Sequence, residues 1–207
     1  MTATRTGALA FLIVLFFAPA YAAEGIKTGT VKGTITIGGK PAADVVLSVE
    51  GLAPKLMKTK VSVKSAAASI DQREMKFMPR VIAIVAGTKV SFPNNDKAWH
   101  NVYSASEAKK FDLGLYAPKQ SRDVTFDRPG VVRILCNVHP NMEAYIVVKS
   151  HPYFSVADSR GGYQINNIPL GKAQLEIWHP NFGARKESLN LVSERQVLTL
   201  DFDLKKK

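Results

Sequence analysis

A chain of 207 residues and 22.6 kDa has room for one large domain or two small ones. Its residues are 46% hydrophobic and 22% charged, a balance that excludes both a disordered chain and a polytopic membrane protein. Lysine and arginine exceed aspartate and glutamate by 28 to 17, a formal charge of +11, and the single cysteine, Cys136, excludes an internal disulfide and a C-x-x-C zinc site.

Residues 1–7 carry one positive charge, Arg5, and no acid, and an apolar run of 11 residues, 8–18, follows. That run is too short to span a bilayer, which takes ~20 residues. Ala20-Tyr21-Ala22 then supplies an A-x-A cleavage pattern, so residues 1–22 are expected to be a signal peptide cut after Ala22. The expected location is periplasmic, with no stable membrane insertion once the leader is gone. Without Arg5 the balance is 27 basic to 17 acidic residues. They are dispersed, at Lys55, Lys58, Lys60 and Lys64, at Lys109 and Lys110, and at the terminal Lys205, Lys206 and Lys207. No basic helix or dense Arg-rich stripe emerges, so nucleic acid is not an expected partner. The charge points instead to a soluble surface and to steering toward an acidic protein.

The rest of the chain reads as all-β, with short β-branched or alternating runs punctuated by glycine, proline and asparagine turns. Val31, Gly33, Ile35 and Ile37 alternate with Lys32, Thr34 and Thr36, Gly38-Gly39 makes a hairpin-type turn, and Val45, Leu47 and Val49 resume the alternation. Residues 65–69 are small and polar enough for a loop. Further strands are expected at 81–85, 89–92, 100–104, 122–126, 131–135 and 144–148. Beyond His151 the expected strands are 162–165, 173–178, 187–191 and 197–202, and residues 104–111 have room for one helical turn.

Cys136-Asn137-Val138-His139-Pro140-Asn141-Met142 directly follows an apolar strand, with a thiol, an imidazole and a thioether at three-residue intervals. Upstream, after Asn94-Asn95-Asp96, His100 begins another strand, next to Trp99 and Asn101. His100, Cys136, His139 and Met142 together are a two-His, one-Cys, one-Met set. Two imidazoles and a thiolate in a plane with a weak axial thioether describe a blue-copper site, and the soft sulfurs also suit Cu(I). Zinc suits Cys-His-His, but methionine is a poor zinc ligand and structural zinc sites favour four strong donors. Asn101 is placed to hydrogen-bond the backbone of the ligand loop near Asn137.

These residues resemble the cupredoxins. Phe77-Met78-Pro79, then Gly87-Thr88-Lys89-Val90-Ser91-Phe92-Pro93-Asn94-Asn95-Asp96 and His100-Asn101-Val102, look like the strands leading to that family's first histidine ligand. The run from Cys136 to Met142 looks like the short ligand loop of amicyanin and pseudoazurin, including a proline after the histidine. The resemblance covers about 60–148. It implies His100 and His139 as imidazole ligands, Cys136 as the thiolate, Met142 as the axial ligand and one type 1 copper as cofactor. Trp99 departs from the expected pattern and bears on access to the metal.

Outside that stretch, Val156-Ala157-Asp158-Ser159-Arg160-Gly161-Gly162-Tyr163-Gln164-Ile165 and Ile168-Pro169-Leu170-Gly171-Lys172 resemble the carboxypeptidase-regulatory, or transthyretin-like, sandwich. The run Gly33 to Leu47 resembles that family's first hairpin, and Lys172-Ala173 departs from its usual aromatic. The expected organisation is a signal peptide at 1–22, the first hairpin of a transthyretin-like sandwich at 23–53, a cupredoxin Greek-key β-sandwich at 54–150 and the remainder of the outer sandwich at 151–207. A tandem split near Lys149 is the competing arrangement. His151 and His179 are expected to be loop or surface imidazoles, and Trp178 to pack in a core.

The expected function is a one-electron carrier, with His139 as the electron port and an acidic cytochrome or dehydrogenase as partner, an analogy drawn from the family. A copper-delivery protein would use the same ligands, and the outer sandwich could serve as a carbohydrate- or protein-binding module. An enzyme is not expected, because multicopper chemistry needs further histidines and only His151 and His179 remain.

Overall fold

The computed structural model describes residues 27–52 and 68–205. The expected signal peptide and residues 65–67 of the expected loop lie outside them. In chain order the strands are β1 Thr28–Ile37, β2 Lys40–Pro41, β3 Val46–Glu50, β4 Ala68–Ser69, β5 Asp71–Arg73, β6 Lys76–Met78 and β7 Val81–Val85. There follow β8 Thr88–Pro93, β9 His100–Ser106, β10 Lys109–Tyr116, β11 Ser121–Phe126, β12 Gly130–Leu135 and β13 Glu143–Lys149. The last six are β14 Phe154–Val156, β15 Gly162–Pro169, β16 Gly171–His179, β17 Gly183–Leu191, β18 Val197–Thr199 and β19 Phe202–Leu204. The fold is all-β.

Two sets of sheets result. In the first, β1 pairs antiparallel with β15 and β2 and parallel with β18 and β19, while the facing sheet runs β14-β3-β16-β17. In the second, one sheet runs β10-β9-β12-β13-β7 and its neighbour β11-β8-β4, with the small β5–β6 hairpin beside them. Among the described residues no ladder joins the two sets. The strands before residue 53 therefore pair with those after residue 153, and the strands between them pair with one another.

Alternation explains the layers. Val31 and Ile35 of β1 are buried, and Lys32 and Thr34 between them face solvent. They join Leu47, Val49, Ile165 and Leu175 in the core of the first set. Phe92, Val102, Phe126, Ile134 and Ile146 form the core of the second, which also contains Cys136 and Met142. Gly33 is required by packing, since a Cβ there would lie 1.9 Å from the Leu200 carbonyl oxygen where the C-terminal strands cross β1. Gly38 and Gly39, at φ 57° and 76°, make the β1–β2 turn in the left-handed region open to glycine.

A third apolar cluster, Val46, Val81 and Val147 with Tyr145, Val156 and Trp178 against them, joins the two sets. Trp178 thus packs at a junction, half-buried, instead of inside one core. Beside it the Lys149 ammonium, 12% exposed, lies 2.9 Å from Glu50 Oε1 and 2.7 Å from Glu176 Oε1. His151 lies in the loop between β13 and β14, as expected, but is buried there, 3.5 Å from Glu50 Oε2 and stacked on Tyr153. His179 is buried as well, packed on Phe182 and accepting the Asn181 N–H. The burial of both rings has one cause: a ring nitrogen with a local partner removes much of the cost of burying an imidazole. Residues 104–111 form the β9–β10 hairpin and not a helical turn, because cross-strand pairing of Ser106 with Lys109 through Phe111 with Ser104 overrides the local propensity of Glu107, Ala108, Lys109 and Lys110.

Candidate metal centre

His100 is the first residue of β9, and its backbone is fixed opposite Tyr116 of β10. Cys136 immediately follows β12, whose Leu135 pairs with Tyr103 of β9 and with Glu143 of β13. The two strand ends therefore meet. Between Cys136 and β13 the chain makes a tight turn in which the Met142 N–H donates to the His139 carbonyl, 2.9 Å. Pro140 occupies the position of that turn where its fixed φ is pre-set, and the closure returns Met142 to the core that holds Cys136. Asn101 ties the loop down from below: its Oδ1 accepts the Asn137 N–H at 3.4 Å, and its Nδ2 donates to Asp112 Oδ1 at 2.6 Å.

His100, Cys136 and His139 form one cluster of potential metal donors. The two Nδ1 atoms are 3.0 Å apart, and Cys136 Sγ lies 3.9 Å from each. A point equidistant from these three atoms is about 2.1 Å from each, in keeping with ~2.0–2.1 Å metal–imidazole and ~2.3 Å metal–thiolate bonds. Two facing Nδ1 atoms at this distance need either a proton on one of them or a cation between them. The donor set therefore fits a metal held trigonally by two nitrogens and one sulfur, and buried Met142 brings a thioether into the same core. His100 and Cys136 are buried, and His139 is half-exposed at the loop surface.

A second layer surrounds the donors. Asp96 Oδ2 lies 3.0 Å from His100 Nε2 and accepts the Met75 N–H at 2.7 Å, while Asp96 Oδ1 accepts the Lys97 N–H at 2.7 Å. The Met75 amide first, then the Lys97 amide and His100, hold the Asp96 carboxyl down at about 2. Asn94, fully buried, accepts the Asp96 N–H and donates to the Ala98 and Tyr116 carbonyls. Tyr116 donates its hydroxyl to the Phe92 carbonyl, and burial pushes that phenol up to about 12. In the sequence Asp96 stands only in a turn; a carboxylate four residues before a strand-initiating histidine was the available signal for its contact. Trp99, 56% exposed, is an apolar side chain next to His100 on the chain, and Val138 is exposed beside His139.

The family described as copper binding proteins, plastocyanin/azurin family, matches residues 63–149. Amicyanin-alpha of Methylorubrum extorquens is 30% identical over 79 residues, which cover 37% of this chain and 66% of that protein. Among solved structures, amicyanin from Paracoccus versutus is 23% identical with a TM-score of 0.38, over 41% of this chain and 82% of that one. A copper-containing nitrite reductase from Thermus scotoductus SA-01 is also 23% identical with a TM-score of 0.38, over 40% of this chain and 22% of the reductase. The chain thus spans just under two thirds of amicyanin-alpha and less than a quarter of the reductase. Residues 63–149 belong to the plastocyanin/azurin family of cupredoxins, and the cofactor of that family is copper.

Proposed function

We propose that this protein is a one-electron carrier holding one type 1 copper on His100, Cys136, His139 and Met142. The observation that carries the reading is the triangle of two Nδ1 atoms and one Sγ, with sides of 3.0, 3.9 and 3.9 Å. When bound, copper supplies a single electron by cycling between Cu(I) and Cu(II). The chain's own residues set the conditions for that cycle. His100 and Cys136 are held on strand ends inside a packed core, so the donor positions change little when the charge changes. Fixed donors keep the rearrangement between oxidation states small, which favours rapid transfer. His139, half-exposed in the turn with Pro140, offers the imidazole edge through which an electron leaves, with Trp99 and Val138 as exposed apolar neighbours.

The remaining histidines support a carrier over an enzyme. His151 and His179 each accept a backbone N–H on Nδ1, from Tyr153 and Asn181, and both lie in the outer strand set. Among the described residues, the cluster of potential metal donors is His100, Cys136 and His139, and it includes neither of them. The partner would be an acidic redox protein, a cytochrome or a dehydrogenase, docking transiently on an exported protein whose 27 basic residues outnumber its 17 acidic ones. The leader-like composition of residues 1–22 supports export to the periplasm. The pairing of β1 with β15 and of β3 with β16 supports a nested organisation, with the 54–150 sandwich inserted into a loop of the outer one.

Voltammetry and electron self-exchange of the copper-loaded protein test the carrier reading. A reversible one-electron wave with rapid self-exchange is expected. Slow exchange with tight retention of Cu(I) would instead identify a copper-delivery protein.

A further inference from the structure

We propose that Asp96 is a positioning residue for the metal centre, fixing the His100 ring and setting a permanent negative charge that favours Cu(II) over Cu(I). The inference rests on the copper reading above and concerns what this chain adds to it.

An ionised carboxylate has no proton to give and only accepts. With Asp96 Oδ2 at 3.0 Å, the proton of a neutral His100 ring must sit on Nε2. Nδ1 is then left with its lone pair, and Nδ1 is the atom turned toward Cys136 and His139. Backbone pairing with Tyr116 fixes where His100 begins, but it does not fix the ring's tautomer. Asp96 does, because its own position is over-determined. Its two oxygens are held by the Met75 and Lys97 amides, and its N–H is held by buried Asn94. The Met75 amide is delivered by the β5–β6 turn, where Glu74 and Met75 take φ of 53° and 54°. A left-handed pair of non-glycine residues is costly, and here it aims one backbone donor at the residue that orients a ligand.

The charge acts on the redox balance. A fixed carboxylate one imidazole away from a metal stabilises the dication more than the monocation, since the interaction scales with the metal's charge. Removing that charge while keeping the side chain's shape therefore raises the reduction potential. Outer-shell partners of ligating histidines typically matter by ~10–100-fold. At a fixed applied potential, Asp96→Asn should lower the ratio of oxidised to reduced protein by about tenfold, a rise of ~59 mV for one electron.

Two measurements test the assignment. In the metal-free wild type, long-range proton–nitrogen NMR should show His100 with its proton on Nε2. In the copper-loaded protein, Asp96→Asn should raise the potential, while Asp71→Asn should leave it within a small fraction of that shift. Asp71 lies on the β5–β6 hairpin that delivers the Met75 amide, and its carboxylate bonds Asn95 and Arg73. A His100 proton on Nδ1, or a folded Asp96→Asn with the wild-type potential, would overturn the proposal. If Asp96→Asn fails to fold, the wild-type NMR measurement decides alone. A wild type that takes up no copper would remove the carrier reading, while the tautomer would still be decided on the metal-free protein.

Discussion

The indole of Trp178 meets the phenol ring of Tyr145 edge-on, with 5.5 Å between centroids, and so links β16 of the outer strand set to β13 of the inner one. Around this contact, Arg80 lies 3.4 Å from Asp44, and Lys149 reaches both Glu50 and Glu176. The junction therefore combines apolar packing with ion pairs, of which those of Lys149 are the more buried, and each strand set contributes to both.

Trp178→Ala removes the aromatic contact and leaves the donors of the metal centre untouched. Half-buried truncations of this size fall below the range for full burial, and about 2 kcal/mol of stability should be lost. Denaturant unfolding measures that loss. The copper spectrum of the folded variant should match the wild type.

Glu50 gives the junction a pH dependence. The His151 hydrogen bond first, then Lys149 and Ser48, hold its carboxyl well below the usual carboxylate range, against the upward push of burial. A carboxyl lowered in the folded state contributes its full stability above its unfolded pKa, near 4.5, and loses it as pH falls toward the folded value. The wild type should therefore lose stability below about pH 4.5. Glu50→Gln should cost about 2 kcal/mol at pH 7 and should show a flatter stability profile in acid. An unchanged acid profile in the variant would contradict this role for Glu50.

Asn101→Ala cuts both ties between β9, β10 and the ligand loop. The Asn137 N–H loses its acceptor and Asp112 loses a donor, at a cost of about 1–2 kcal/mol. Because the lost bond anchors the loop, a chelator should also strip copper faster from this variant than from the wild type. Equal stripping rates would show that the loop is held by its own turn alone.

Most of the fold could be read from the sequence because its signals are local. The alternation around Val31 and Ile35, the turn at Gly38-Gly39 and the apolar runs at 81–85 and 131–135 each encode a strand without help from distant residues. The nearness of Cys136 and His139 was legible for the same reason, since they are spaced along one loop, and His100 joins them from the start of β9. What escaped depends on contacts between distant segments. The β9–β10 hairpin is set by cross-strand register, and its central residues favour another local structure. His151 and His179 are buried because Glu50, Tyr153 and Phe182 come to meet them, which spacing does not reveal. Asp96 belongs with these: its tie to His100 is four residues long, but the Met75 amide that holds it comes from a separate hairpin.

Coordination of copper by the Cys136 thiolate is the central expectation for this protein. One equivalent of Cu(II) added to the protein should produce an intense blue or green thiolate-to-copper absorption band. The matching electron paramagnetic resonance signal should show the narrow copper splitting of a thiolate site, and both should vanish in Cys136→Ala. A colourless, weakly held copper, or the same spectrum from wild type and Cys136→Ala, would contradict it.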